Sequence, residues 1–332
     1  MGQAVTAMSP HSPAHDPVHG CHDAQPCRRG GVGGFTPGGV SLTLLPMKSV
    51  LTIQSHVAYG YVGNRAAVFP LQRLGIDATA VNTVQFSNHT GYGAWTGQVF
   101  TAEHIADIVD GIAARGVLPA QDAVLSGYMG AVELGQVIVE TAARVKSANP
   151  KAIYCCDPVM GDVGRGFFVR PGLPEFIRDH AVPAADLMTP NQFELEYLTD
   201  RKVATLDDAL AATAALRARG PRLVLVTSLT RSDADPDSIE MLVDGTDGAW
   251  LVSTPRLTFD PPPNGSGDAV AALFLAHYLA AFDPADALEK AAAAIFAIFE
   301  TTRRMGTREL QLIAAQDDFV DPPRRFSATR LR

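Results

Sequence analysis

The chain has 332 residues, 47% of them apolar and 19% charged, enough for one large α/β domain or two small ones around a sizeable core. A formal net charge of −8 argues against nucleic acid or an anionic membrane surface as the main partner, and no apolar run approaches the roughly 20 residues of a membrane span. The four cysteines, Cys21, Cys27, Cys155 and Cys156, form neither a C-x-x-C motif nor a disulfide framework, so a reducing cytoplasm is the expected location.

Residues 1–46 are rich in Gly, Pro and His and have no period of 2 or 3.6. They read as a disordered extension and not as a secretory signal. His11, His15, His19, His22, Cys21 and Cys27 match no zinc-ligand spacing. Met47 to Gln54 looks like the opening of a first strand, which makes Met47 the expected native start and 47–332 the folded domain.

From Val50 onward the pattern predicts a strand to Gln54, a helix over Asn64–Leu74 with Asn64 as a possible cap, and a strand over Ala78–Val84. A helix over Glu103–Ala114, a short strand Ala123–Leu125, a helix Ala131–Lys146 and a strand Ala152–Cys156 follow. Asp186–Met188 is a brief strand before a helix over Gln192–Leu198. Thr205 to Asp208 resembles a capping box opening a helix that ends at Gly220. Arg222–Thr227 is a central strand, and Ser238–Phe259 a β-meander turning at Asp244-Gly245. Helices fill Ala269–Ala281, Pro284–Arg304 and a shorter C-terminal stretch. This alternation predicts an α/β fold: a mostly parallel central sheet with helices on both faces and a small β-meander. Ligands in such sheets bind beyond the C-terminal strand ends, where Ser55, Asp157, Asn191 and Thr227 all fall.

The most telling motif is Asn264-Gly-Ser-Gly-Asp268 followed by an apolar helix. Its glycines let backbone amides approach an anion, the helix dipole points at the same spot, and Asp268 sits in the first turn. An anion cradle with a carboxylate beside it suits phosphoryl transfer to an alcohol. A glycine turn with Asp268 as an ordinary cap fits the same residues. Asp157, leaving a buried strand into a Pro/Gly loop, is placed for Mg²⁺ or for local amides. The loop through Gly164-Arg165-Gly166 has the flexibility of a lid. Asn191 and Glu194 fall one helical turn apart and suit either a metal-organising pair or a plain cap. His56 and His89, in polar loops, read as structural. No G-x-x-x-x-G-K-[ST] and no strand-linked G-x-G-x-x-G is present, which disfavours P-loop and Rossmann nucleotide sites.

From about Lys48 to its end the chain resembles the pyridoxal kinases of the ribokinase-like superfamily. The resemblance is carried by Gln54-Ser-His-Val57, Tyr59-Gly60, Gly63-Asn64, Asn82-Thr-Val-Gln-Phe-Ser-Asn-His-Thr90 and Leu125-Ser-Gly-Tyr128. Cys156-Asp-Pro-Val-Met-Gly161, Pro190-Asn191-x-x-Glu194, Gly265-x-Gly267-Asp268 and Phe326-Ser-Ala-Thr329 extend it. It implies ATP-dependent phosphorylation of the 5′-hydroxymethyl group of pyridoxal in vitamin B6 salvage. Asp268 would be the base and Gly265, Ser266 and Gly267 the anion hole. Asp157 and Glu194 would organise Mg²⁺ and the phosphates of ATP, with Asn191 assisting and Thr227 near the nucleotide. Ser55, Thr90 and Gly91 would contact the substrate ring. The Cys156 thiol would add reversibly to the pyridoxal aldehyde. Thr227 stands where some bacterial members carry lysine. The resemblance also implies a homodimer, and leaves room for a monovalent cation such as K⁺. Two other readings remain: a ribokinase-like kinase of another hydroxymethyl heterocycle or a sugar, and a non-catalytic carrier of pyridoxal phosphate.

Overall fold

A computed structural model describes residues 47–332; the expected extension and its His/Cys group lie outside the described residues. Strand β1 (Ser49–Tyr59) leads through α1 (Asn64–Arg73) to β2 (Asp77–Asn88), then β3 (Gly97–Val99), α2 (Ala102–Ala113), β4 (Ala123–Ser126) and α3 (Val132–Ala148). Next come β5 (Ile153–Cys156), the hairpin β6 (Gly161–Asp162) and β7 (Gly166–Phe167), and α4 (Leu173–Phe176), joined to α5 (Val182–Ala184) by a π-helical turn. They are followed by β8 (Leu187–Met188), α6 (Gln192–Thr199), α7 (Leu206–Arg217), β9 (Leu223–Leu229), β10 (Ser238–Gly245) and β11 (Gly248–Pro255). The chain closes with α8 (Ser266–Ala281), α9 (Pro284–Met305), α10 (Gln316–Val320) and β12 (Thr329–Arg330).

One ten-stranded sheet runs β12-β11-β10-β9-β8-β5-β4-β1-β2-β3. Its six middle strands, β9 to β2, are parallel, and the outer strands on both sides are antiparallel. Period-2 alternation sorts the strand residues between two cores. Val50, Leu125 and Cys155 face α1, α8 and α9, whereas Leu51, Val124 and Cys156 face the side of α2, α3, α6 and α7. The chain leaves β1 for β2 on one side and returns to β4 on the other, so the order reverses between β1 and β4. A crevice opens beyond the strand ends at such a reversal.

Several expectations change. The first two strands run on past Gln54 and Val84 to Tyr59 and Asn88, so Ser55, His56, Ser87 and Asn88 are strand residues and not loop. A register shift between Gln54 and His56 lets the polar stretch stay in the ladder, and Val57, Val62, Val84 and Phe86 give the extension its own small core. Asn64 does not cap α1. Its side chain turns inward to accept from Thr52 Oγ1 (2.8 Å) and to donate to Val81 O and Asn82 Oδ1. The β-meander is β9-β10-β11, continuous with the main sheet, and its turn falls at Thr246-Asp247 because Gly245 still pairs with Gly248. The capping box at Thr205 and Asp208 is present. Strands β3, β6, β7 and β12 and helices α4 and α5 had no signal strong enough to predict: the strands are two or three residues long and the helices three or four.

Candidate active site

The sequence of α8 is apolar all round, and the helix is buried between α1 and α9 with its N-terminus at the crevice. Gly265 precedes it at φ +84°, and a Cβ there would run into the carbonyl oxygen of Tyr61. No side chain caps the helix. The amides of Ser266, Gly267 and Asp268 are therefore first-turn donors without the usual cap, the arrangement that receives an anion.

Asp268, half-buried in that turn, lies against Gly127 just past β4 and Gly63 just before α1. A Cβ added at Gly127 would lie 3.4 Å from its Oδ1 and would strike the Gln54 amide oxygen, so glycine at the end of β4 keeps the space in front of the carboxylate open. Burial pushes the Asp268 carboxyl up to about 6, against the opposing pull of a hydrogen bond from the Gly63 amide. A carboxylate with that affinity suits proton abstraction near neutral pH.

Asp157 and Glu194 form the second half of the site. Asp157 follows β5 and is 4% exposed, yet its Oδ2 has no hydrogen-bond partner. Burial, and then the charges of Glu194 and Asp268, hold its carboxyl well above the usual range. Glu194 is 3% exposed and accepts from the amides of Met160 (3.0 Å) and Asn191 (2.9 Å). Burial nonetheless pushes it up to about 8. Asn191 Oδ1 in turn accepts from the Glu194 amide, completing a capping box, and Nδ2 donates to Gly161 O (2.8 Å). The cap reading of this pair is therefore present, and Glu194 also lies buried near Asp157. Among the described residues there is no group of three or more His, Cys, Asp or Glu that could hold a metal. Two carboxylates with an unpaired inward oxygen do fit Mg²⁺, which is bound by one or two carboxylates together with substrate phosphates.

Thr227 ends its pairing beside Asn191, donating its amide to Pro190 O. With Ser266 and Gly267 it borders a cavity of about 190 Å³, whose apolar walls include Met241, Phe259 and Phe296. Pro262 and Pro263 form part of the same wall. Ser55 is buried next to Gly63, while Thr90 and Gly91 sit exposed on a 3-10 turn just past β2. His89 serves that turn structurally, its Nδ1 accepting from the Gly91 amide (3.0 Å). Gln54, Gly63, Asn64 and Gly127 also belong to the site or its backing. Each lay within a segment that carried the resemblance, but none had a spacing that signalled a role.

Contrary to expectation, Cys156 does not reach the crevice. Its side chain is fully buried in the core beneath the sheet, beside Tyr154, and burial pushes the thiol up to about 12. Addition to an aldehyde needs an accessible thiolate. Alternation on β5 turns this side chain into the core, so the structure does not support it as a substrate contact.

An α/β sheet with an uncapped Gly-Ser-Gly-Asp helix start and a buried carboxylate pair at its crevice defines a ribokinase-like small-molecule kinase. The family model described as phosphomethylpyrimidine kinase matches residues 78–312. The chain is 56% identical over 295 residues to the pyridoxal kinase PdxY of Deinococcus radiodurans, covering 88% of this chain and 99% of that one. It is 57% identical over 284 residues to that of Rubrobacter xylanophilus, covering 85% and 97%. The pyridoxal kinase of Leishmania donovani, solved with ADP and ginkgotoxin, superposes with a TM-score of 0.81 at 32% identity, over 86% of this chain and all of that one. The chain belongs to the pyridoxal kinase family.

Proposed function

We propose that the chain transfers the γ-phosphoryl group of ATP to the 5′-hydroxyl of pyridoxal, with Asp268 as the general base. The observation that carries this reading is Asp268 in the uncapped first turn of α8, against Gly127 just past β4 and Gly63 just before α1. Support comes from curated relatives named as pyridoxal kinases and from relatives solved with ADP and pyridoxamine or pyridoxine. In the reaction the substrate hydroxyl oxygen bonds to the γ-phosphorus, the bond from that phosphorus to the ADP oxygen breaks, and the hydroxyl proton passes to Asp268. The Ser266 and Gly267 amides face the charge that builds on the moving group. Asp157 and Glu194 would hold Mg²⁺, which neutralises phosphate charge when bound. The apolar cavity beside Thr227 suits the nucleoside, and Ser55, Thr90 and Gly91 the pyridine ring.

The test is formation of pyridoxal 5′-phosphate from pyridoxal, ATP and Mg²⁺ by the purified protein, with a hydroxymethylpyrimidine and a sugar as competing substrates. Turnover confined to a competitor would move the substrate, and pyridoxal binding without turnover would favour a carrier. The reading includes a homodimer through edge β-structure. The short edge strand β3 lies next to the exposed Trp95, and Tyr59 is exposed at the end of β1. A monomer mass in sedimentation at assay concentration would contradict it. No described helix is long and apolar enough to cross a membrane.

A further inference from the structure

The segment after α9 reaches back across more than two hundred residues of sequence to the substrate side of the crevice. Its Leu310 and Leu312 are sunk in the core, which anchors Arg308 and Glu309. Glu309 is 7% exposed and accepts two bonds, from Tyr92 Oη at 2.6 Å and from the Tyr61 amide at 3.0 Å. Gly60 stands at φ +93°, and any Cβ there would collide with the Glu309 carboxylate, so this close approach requires glycine. Arg308 lies 3.8 Å from the centroid of the Tyr92 ring and donates through Nη2 to Gly91 O at 2.7 Å. A charge-assisted bond and a cation–π contact thus converge on a single turn. Tyr61, held by the same carboxylate, is the residue whose carbonyl backs onto Gly265.

We infer that Arg308 and Glu309 form a strap that sets the Thr90–Tyr92 turn at a fixed distance from the Gly265–Asp268 turn, making Glu309 a positioning residue for the ring of the phosphoryl acceptor. The inference rests on the reading of Thr90 and Gly91 as ring contacts. One carboxylate bridges the turn that would hold the acceptor and the backbone that supports the anion cradle. Among the described residues no other side-chain hydrogen bond links the two turns: Asn264 approaches Gly91 without bonding it, and Gly91 is otherwise tied only to His89 on its own turn. Loosening the strap therefore moves the acceptor relative to the phosphoryl group, whereas the cavity beside Thr227 contains none of the residues the strap bonds.

The test compares Tyr92→Phe, Glu309→Gln and the double variant with the wild-type enzyme, measuring KM for pyridoxal, KM for ATP, kcat and Tm. Tyr92→Phe keeps the ring under Arg308 and removes only the hydroxyl, so it reports even if Glu309→Gln fails to fold. The expected result is a pyridoxal KM raised about tenfold with the ATP KM held within about twofold. The double variant should lose less than the two single variants summed, because both act on the Tyr92–Glu309 bond. An unchanged pyridoxal KM, with or without a fall in Tm, would make the strap merely structural and overturn the inference. Wild-type enzyme without pyridoxal turnover overturns the functional reading first, and is distinguished by the control itself.

Discussion

Asp268→Asn is expected to lower kcat by about 10²–10⁴-fold while leaving KM for ATP and for pyridoxal near their wild-type values. The asparagine is isosteric, can still accept from the Gly63 amide, and leaves Gly127 and Gln54 undisturbed, so the loss isolates proton transfer. The wild-type pH profile carries a second signature. Burial pushes the carboxyl up to about 6, and only the deprotonated form can take a proton. Rate should therefore fall as pH drops through about 6 and level off above it, and this limb should vanish from the residual activity of the variant. Near-wild-type turnover in Asp268→Asn, or an acid limb that survives the substitution, would remove Asp268 as the base.

How much of this was legible before the structure depends on how local each signal is. The parallel sheet with helices on both faces follows from alternating strand and helix periods, and each long helix falls where its pattern places it. Asp268, Gly265, Asp157 and Glu194 were legible because each sits at a strand end or helix start, positions that sequence punctuation marks directly. Ser55 and Asn64 were misplaced. Ser55 looked like loop, but a register shift keeps it in β1, and Asn64 looked like a cap although its side chain bonds Thr52 and Asn82 on neighbouring strands. Cys156 failed on orientation: adjacent strand residues face opposite ways, and nothing local says which of Cys155 and Cys156 turns toward a given layer. Glu309 was invisible because its partners, Tyr61 and Tyr92, lie 248 and 217 residues away.

Asp157→Asn is expected to move stability and activity in opposite directions. In the metal-free protein Asp157 is a buried carboxyl whose inward oxygen has no partner, facing the charges of Glu194 and Asp268. A carboxyl raised above its unfolded value binds its proton more tightly in the folded chain. Its contribution is thus fully present below that unfolded value, near 3.8, and is lost as pH rises through the folded value. Glu194, pushed up to about 8, behaves alike, so without metal the fold should weaken between about pH 4.5 and 8. The asparagine cannot ionise, so it removes one of the two buried carboxyls whose ionisation weakens the fold. Metal-free Tm at pH 8 should therefore rise by about 2 °C or more, taking about 1 kcal/mol as the relief. Wild-type enzyme should recover stability on adding Mg²⁺, and the variant should recover less, because one of the two carboxylates proposed to hold the cation is gone. Activity should fall by at least about 10²-fold, the scale of losing a metal-held charge clamp on a phosphoryl group. A variant that is less stable without metal and keeps the full Mg²⁺ response would show that Asp157 serves the loop after β5 and not the cation.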